Sequence, residues 1–198
     1  YGVAGTGKTF VALYNALKDV LDPKSPRERV YIVRSLLPTR DIGFLPGDEE
    51  DKSYLYQVPY QNMVRFMFQR GSDAEFDRLY TDLRNQGTVD FLSTSFLRGI
   101  TIDNGVIIVD ECQNLNFHEL DTIMTRVGQN TRIVFAGDIQ QTDLTKTNDR
   151  NGILDFVNII QQMKEVDCIE FDLGDIVRSG MLKSYLIEKI KLGLHYEQ

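Results

Sequence analysis

Several features are scarce in these 198 residues, and each scarcity weighs against a class of protein. No apolar run approaches the ~20 residues that a membrane-spanning helix needs; no signal-peptide pattern is visible either, although residues upstream of Tyr1 would hide one. Cysteine is rare, and Cys112 and Cys168 lack metal-type spacing. Two such thiols fit a reduced, cytoplasmic setting rather than a disulfide framework, and their apolar flanks suggest that both pack in the core. Basic charge is in deficit, with a net charge of −7 at pH 7. That argues against a basic nucleic-acid coat, although a local basic groove on an acidic body stays open. His118 and His195 are isolated, with no metal partner in reach by sequence. Repeats and low-complexity tracts are missing too. What remains is an ordinary globular composition, 42% apolar and 26% charged, at a length that suits one domain with a sizeable core.

Against this background one short pattern is dense with chemistry. Residues 2–9 read Gly-Val-Ala-Gly-Thr-Gly-Lys-Thr, a full match to the phosphate-binding P-loop G-x-x-x-x-G-K-[ST]. Gly2, Gly5 and Gly7 let the backbone turn, so that the loop they form with Val3, Ala4 and Thr6 brings its amides against phosphates. Lys8 reaches the β- and γ-phosphates, Thr9 contacts Mg²⁺, and the positive end of the next helix adds to the pull. The plain alternative is a chance glycine-rich turn. Residues 10–17, a good buried-helix run, favour the loop. A P-loop hangs from the C-terminal end of a strand, yet only Tyr1 precedes it. The sequence therefore predicts a first core strand upstream of Tyr1 and reads as one N-terminally truncated domain over residues 1–198.

Apolar, β-rich runs recur at residues 30–33, 106–109, 133–136 and 168–171. Near-continuous apolar strands alternating with helices indicate a parallel sheet covered on both faces. Phe76, Leu79, Tyr80 and Leu83 fall at i, i+3, i+4 and i+7 of a helix. Asn116 with Glu119 reads as a capping box, and Gly128 suits the C′ position of the same helix. Further helices are expected over 153–160 and 182–192. Asp22-Pro23-Lys24-Ser25-Pro26 is a surface connection. The predicted fold class is α/β, a three-layer sandwich with a mostly parallel sheet of P-loop, RecA-type form.

The strand at 106–109 runs into Asp110 and Glu111, the Walker B arrangement. Asp110 would hold Mg²⁺, and Glu111 could orient and polarise the attacking water. An acidic strand end is common by itself, but metal and phosphate chemistry needs both halves, and both are here. An adjacent Glu favours hydrolysis over transfer to a held substrate. At the next strand end, Gly137-Asp138-x-x-Gln141 matches motif III of superfamily 1 helicases, while Asp110-Glu111-x-Gln113 looks like their motif II. Gln141 is then the candidate γ-phosphate sensor, a helix N-terminal polar turn being the alternative. Asn-Lys-x-Asp is lacking, which argues against a GTPase, and no Arg-rich lid supports a small-molecule kinase. ATP is the default nucleotide.

A specific family comes into view from longer blocks. Arg40-Asp41-Ile42-Gly43-Phe44-Leu45-Pro46-Gly47-Asp48, with Lys52 and Pro59, resembles the signature of the PhoH-like ATPases. So do Phe96-Leu97-Arg98-Gly99, Asp110-Glu111-Cys112-Gln113-Asn114, Thr125-Arg126-Val127-Gly128, residues 137–144 and Asp175-Ile176-Val177-Arg178, in family order across nearly the whole chain. Cys112 stands where the family usually has Ala, and Asn151-Gly152 where it usually has Ser-Gly; neither touches a ligand. The short form suggests a bacteriophage member. The resemblance implies an ATPase with a superfamily 1-like core, a helicase or translocase acting on single-stranded RNA or DNA. Superfamily 1 motors close their nucleotide cleft between two cores, and this chain has room for one. A homo-oligomeric ring, hexameric in form, would supply the second wall and a γ-phosphate arginine from a neighbour. Arg178 is the first choice for that arginine, with Arg126 and Arg98 as rivals and a surface ion pair as the plain alternative.

Nucleic-acid contacts are harder to read. Arg65, Phe66, Phe68, Arg70, Arg78 and Arg84 mix basic and aromatic groups as stacking grooves do. The better-supported reading places Met63, Phe66, Met67 and Arg70 on one helical face against the sheet. Arg34 and Ser35 are stronger phosphate-contact candidates. The alternative function is an ATP-gated assembly module that unwinds nothing. A nuclease accessory core is a third possibility, since some relatives carry a fused RNase domain, though none lies within these residues.

Overall fold

A computed structural model describes residues 1–34, 49–94, 97, 99–138 and 147–192. Strands β1 (Arg29–Arg34), β2 (Val89–Leu92), β3 (Gly105–Asp110) and β4 (Arg132–Ala136) form one sheet in the order β2-β1-β3-β4, with every pairing parallel. Around it lie α1 (Lys8–Val20), α2 (Glu49–Phe68), α3 (Asp73–Asn85), α4 (Phe117–Met124), α5 (Thr147–Ile160) and α6 (Gly180–Lys191).

Successive strand side chains point to opposite faces, and that alternation divides the core in two. Val30, Ile32, Val106 and Ile108 pack with Leu13, Ala16 and Leu17 of α1, Tyr60 and Val64 of α2, and Phe76 and Leu83 of α3. Val33, Ile107 and Val109 pack on the other face with Leu120 and Ile123 of α4 and Ile153, Phe156 and Ile160 of α5. The result is the three-layer sandwich expected. Because helices cover both faces, every residue of β3 is buried, which is why its sequence shows no polar alternation.

Local signals account for several boundaries. Asn116 caps α4 by accepting from the Glu119 amide, and the Glu119 side chain accepts from the Asn116 amide in return. Gly128 does not take the C′ position assigned to it. The helix ends at Met124 with Thr125 as its cap. Gly128 instead approaches the backbone of Ile102 so closely that a Cβ would lie 2.7 Å from that carbonyl oxygen. Strand β2 has no clear sequence signal, being four residues long with the partly exposed Asp90 inside it.

The expected strand at 168–171 is not a regular strand but a short parallel pairing with the chain start. The Tyr1 amine donates to Ile169 O at 2.8 Å, Phe171 N to Tyr1 O at 2.8 Å and Val3 N to Phe171 O at 3.3 Å. On its other side, Gly2 N donates to Gly137 O at 3.2 Å. Residues 1–3 are thereby clamped between the end of β4 and residues 169–171. Helix α6 forms at the predicted place, yet buries none of its residues, and Met181 and Tyr185 are exposed. Cys112 is in the second core cluster, whereas Cys168 is exposed, against the expectation that both pack inside. No helix among the described residues is long and apolar enough to cross a membrane.

Candidate nucleotide site

Parallel strands bring their C-terminal ends to one side of a sheet, where ligands gather. Here Arg34, Asp110 and Ala136 are register partners across β1, β3 and β4, so three strand ends finish on one level. The loop of residues 2–7 enters at that level through the Gly2–Gly137 bond. It passes into α1 at Gly7, whose φ of 80° is open to glycine at little cost and which supplies no side-chain cap. The first amides of a helix have no intrahelical partner. These therefore face the loop, where an anion would satisfy them.

Lys8 spans the loop. Its Nζ donates to Gly2 O and Val3 O, each at 2.7 Å, so the cation sits where phosphate oxygens would meet it. Burial pulls the Lys8 pKa below its ordinary value, while the charges of Asp138, Glu111 and Asp110 work the other way. Thr6 steadies the turn by donating to Val3 O at 3.0 Å. A cavity of about 330 Å³ opens between α1, β4 and residues 166–169, and Tyr1 and Lys8 are among its lining residues. Its walls are chiefly apolar, Ile133, Phe135 and Val166 among them, so the phosphate chemistry belongs to the loop.

Thr9 Oγ1 donates to Asp110 Oδ1 at 2.7 Å, and Tyr60 Oη donates to Asp110 Oδ2 at 2.6 Å. Both oxygens of a carboxylate only 6% exposed are thus engaged. Tyr60 lies on α2 and carries no signal of its own in the sequence, since nothing local distinguishes it from a core aromatic. Burial, then the charge of Asp110, raises its pKa, which keeps the hydroxyl a donor. A hydroxyl and a carboxylate are hard oxygen ligands. Mg²⁺ takes one or two such protein groups and completes its shell with phosphate and water. Thr9 and Asp110 fit that ion and would hold it.

Glu111 follows in the left-handed region at φ 51°, an uncommon conformation for a residue with a side chain. Gln113 Nε2 donates to Glu111 Oε2 at 2.6 Å, and Gln113 Oε1 accepts the Asp138 amide at 3.1 Å. The buried Gln113 thereby joins the acidic end of β3 to the segment leaving β4. Cys112, between them, has its thiol pushed up to about 12 by burial and is no nucleophile near neutral pH.

Residues 177–178 come to the same loop. Val177 N donates to Gly5 O at 3.2 Å, and a Cβ on Gly5 would stand 3.1 Å from Arg178 Cγ and 3.6 Å from its Nε. Arg178 thus packs on the P-loop of its own chain. Arg126 is at the opposite end of the sheet. Its contacts run to Ile100 O and Thr125, beside the Ile102–Val127 bridge that precedes β3 and β4. Arg98, Ser35, Gln141, His195 and the block at 40–48 lie outside the described residues.

The basic-aromatic groove, the less favoured of the two readings, is not assembled among the described residues. Arg65 pairs with Asp73 and Asp77 and lies over the Phe76 ring at 4.4 Å. Arg84 bonds Val89 O and Asp90 and covers Phe91. Met63 and Met67 pack on the core as the helical-face reading expects, Phe68 of the groove set packs there too, and Phe66 is exposed against that reading. Arg34 stays at the site level, with its guanidinium 6.0 Å from the Tyr56 ring centroid.

A parallel sheet with helices on both faces, a glycine-rich loop running into a helix, and a buried Asp–Thr pair at the strand ends define a P-loop nucleotide-binding domain. More narrowly, residues 1–189 match the family model described as PhoH-like protein, and the chain belongs to that family, whose core is ATPase-like. It is 34% identical over 157 residues to Protein PhoH2 of Bacillus subtilis (strain 168), covering 79% of this chain and 35% of that protein. It is 30% identical over 186 residues to Protein PhoH of Escherichia coli (strain K12), covering 93% of this chain and 50% of that protein. A PhoH-like protein of a Synechocystis strain is 29% identical over 184 residues, 92% of this chain and 53% of that protein. The chain therefore spans between 35% and 53% of the length of these curated relatives.

Proposed function

We propose that this chain binds ATP with Mg²⁺ and hydrolyses it. The observation that carries the reading is the Thr9–Asp110 bond of 2.7 Å, which joins the P-loop to a buried strand-end carboxylate where metal and phosphate must meet. Lys8 and the loop amides of residues 2–8 hold the phosphates, and Thr9 with Asp110 holds the metal. Bound Mg²⁺ supplies charge neutralisation on the phosphoryl oxygens. Glu111, held by Gln113, orients the attacking water as general base. Arg178 stands beside Gly5 to meet charge on the γ-phosphate, and Gln141 serves as the sensor. A homo-oligomeric ring, hexameric in form, would supply the second wall of the cleft from a neighbour. The resemblance to superfamily 1 motifs II and III supports an output on single-stranded RNA or DNA, through the Gln113 link between the two strand ends.

The test is turnover with and without nucleic acid. Glu111→Gln should bind ATP yet hydrolyse it at least about a hundredfold more slowly, the size of a lost general base. Unchanged turnover would sink the assignment. Addition of single-stranded RNA or DNA should raise the rate of the unaltered chain. A flat response favours the ATP-gated assembly module instead.

A further inference from the structure

We infer that Tyr60 is a positioning residue for the metal-binding carboxylate of Asp110. The inference rests on the nucleotide-site reading above. A carboxylate at a strand end rotates freely about its last torsion, which has broad minima. Asp110 is not free to do so, because two O–H donors hold opposite oxygens, Thr9 on Oδ1 at 2.7 Å and Tyr60 on Oδ2 at 2.6 Å. The two donors come from different layers of contact. Thr9 is in the first turn of α1, which closes the phosphate loop. Tyr60 rises from the core on α2, 2% exposed, its ring edge-on to Phe91 at 5.5 Å. The packing fixes the ring, and the ring fixes the hydroxyl.

The chemistry of the donor matters as much as its place. A lysine or arginine against Oδ2 would orient the carboxylate but cancel the negative charge that a divalent cation needs. A neutral phenol orients it and leaves the charge in place. Tyr60 thus occupies one oxygen and leaves the side facing Thr9 to the metal and its waters. Partners that orient metal ligands in this way typically control affinity by ten- to a hundredfold.

The experiment titrates Mg²⁺ into the chain in the presence of a fluorescent ATP analogue and compares it with Tyr60→Phe, which keeps the ring. Binding of the analogue in EDTA should be the same in both, which also shows that the variant is folded. The Mg²⁺ concentration at half-effect should rise about tenfold in Tyr60→Phe. In an Asp110→Asn background the same substitution should change nothing further. Should Tyr60→Phe unfold, Phe91→Leu gives a second reading, since it loosens the ring without touching the hydroxyl and should raise the Mg²⁺ requirement in the same direction. An equal Mg²⁺ requirement in the folded variant overturns the role of Tyr60 alone. A chain that binds the analogue no better with Mg²⁺ than without overturns the nucleotide-site reading, and this role with it.

Discussion

Gln113 holds Glu111 in place, donating its side-chain amide to Glu111 Oε2 at 2.6 Å. The bond matters because Glu111 sits at φ 51°, a region that costs a non-glycine residue about 1–3 kcal/mol and persists only where the surroundings enforce it. Gln113 supplies part of that enforcement and ties it to the Asp138 amide.

Replacing Gln113 with Leu should therefore separate binding from chemistry. The volume is similar, but Glu111 and the Asp138 amide both lose a partner. Turnover of ATP should fall about tenfold or more, the cost of a catalytic group displaced from its attack geometry. Affinity for a fluorescent ATP analogue should stay within about twofold, because Lys8 and Thr9 are held by Gly2, Val3 and Asp110. Steady-state rates alongside equilibrium binding decide it, and an equal loss in both would assign Gln113 to folding alone.

Arg178 makes the second prediction. Its stem packs on Gly5 of the same chain, and among the described residues it forms no ion pair. Arg178→Ala should lower turnover while retaining ATP binding. Mixing Arg178→Ala with Lys8→Met chains should restore nothing, since each defective site lacks a part that only its own chain provides. Recovery of activity in the mixture would show that the arginine crosses between subunits after all.

Lys8 carries the pH dependence. Burial lowers its pKa from the ordinary 10.5, so the folded chain releases this proton at a lower pH than the unfolded chain does. Between those two values the unfolded state binds more protons, and the contribution of Lys8 to stability rises with pH. Below the window the charged form is a constant burden. Nucleotide binding runs the other way, because the phosphates need the cation. Affinity for an ATP analogue should weaken as pH climbs through the alkaline range below 10.5, while the denaturation midpoint of the chain gains on that of Lys8→Met. Parallel behaviour of the two proteins in both measurements would remove Lys8 from the phosphate site.

Much of this site is legible in the order of residues alone. A P-loop is a local device, a turn of eight residues whose glycines, lysine and threonine act within one loop and one helix turn. Strands buried on both faces announce themselves by unbroken apolar runs, as Val106-Ile107-Ile108-Val109 does. The capping box of Asn116 and Glu119 is equally local, three residues apart. The failures share a cause. Strand β2 is short and carries Asp90, so neighbours rather than pattern make it a strand. Residues 168–171 have the right composition, but among the described residues their backbone pairing is with residues 1–3. Cys168 has apolar neighbours in sequence and solvent in space.

Residue type and spacing alone, then, determined the phosphate loop, the Asp110–Glu111 pair and a parallel sheet clad by helices, because each depends on contacts within a few positions or on a period. Only the tertiary structure decided that Tyr60 shares Asp110 with Thr9, that Gln113 spans two strand ends, and that Arg178 returns to its own P-loop. Those relationships join residues up to 173 positions apart, as 178 − 5 for Arg178 and Gly5. No local periodicity encodes such a distance. It is set by which faces of the helices the two halves of the core bury.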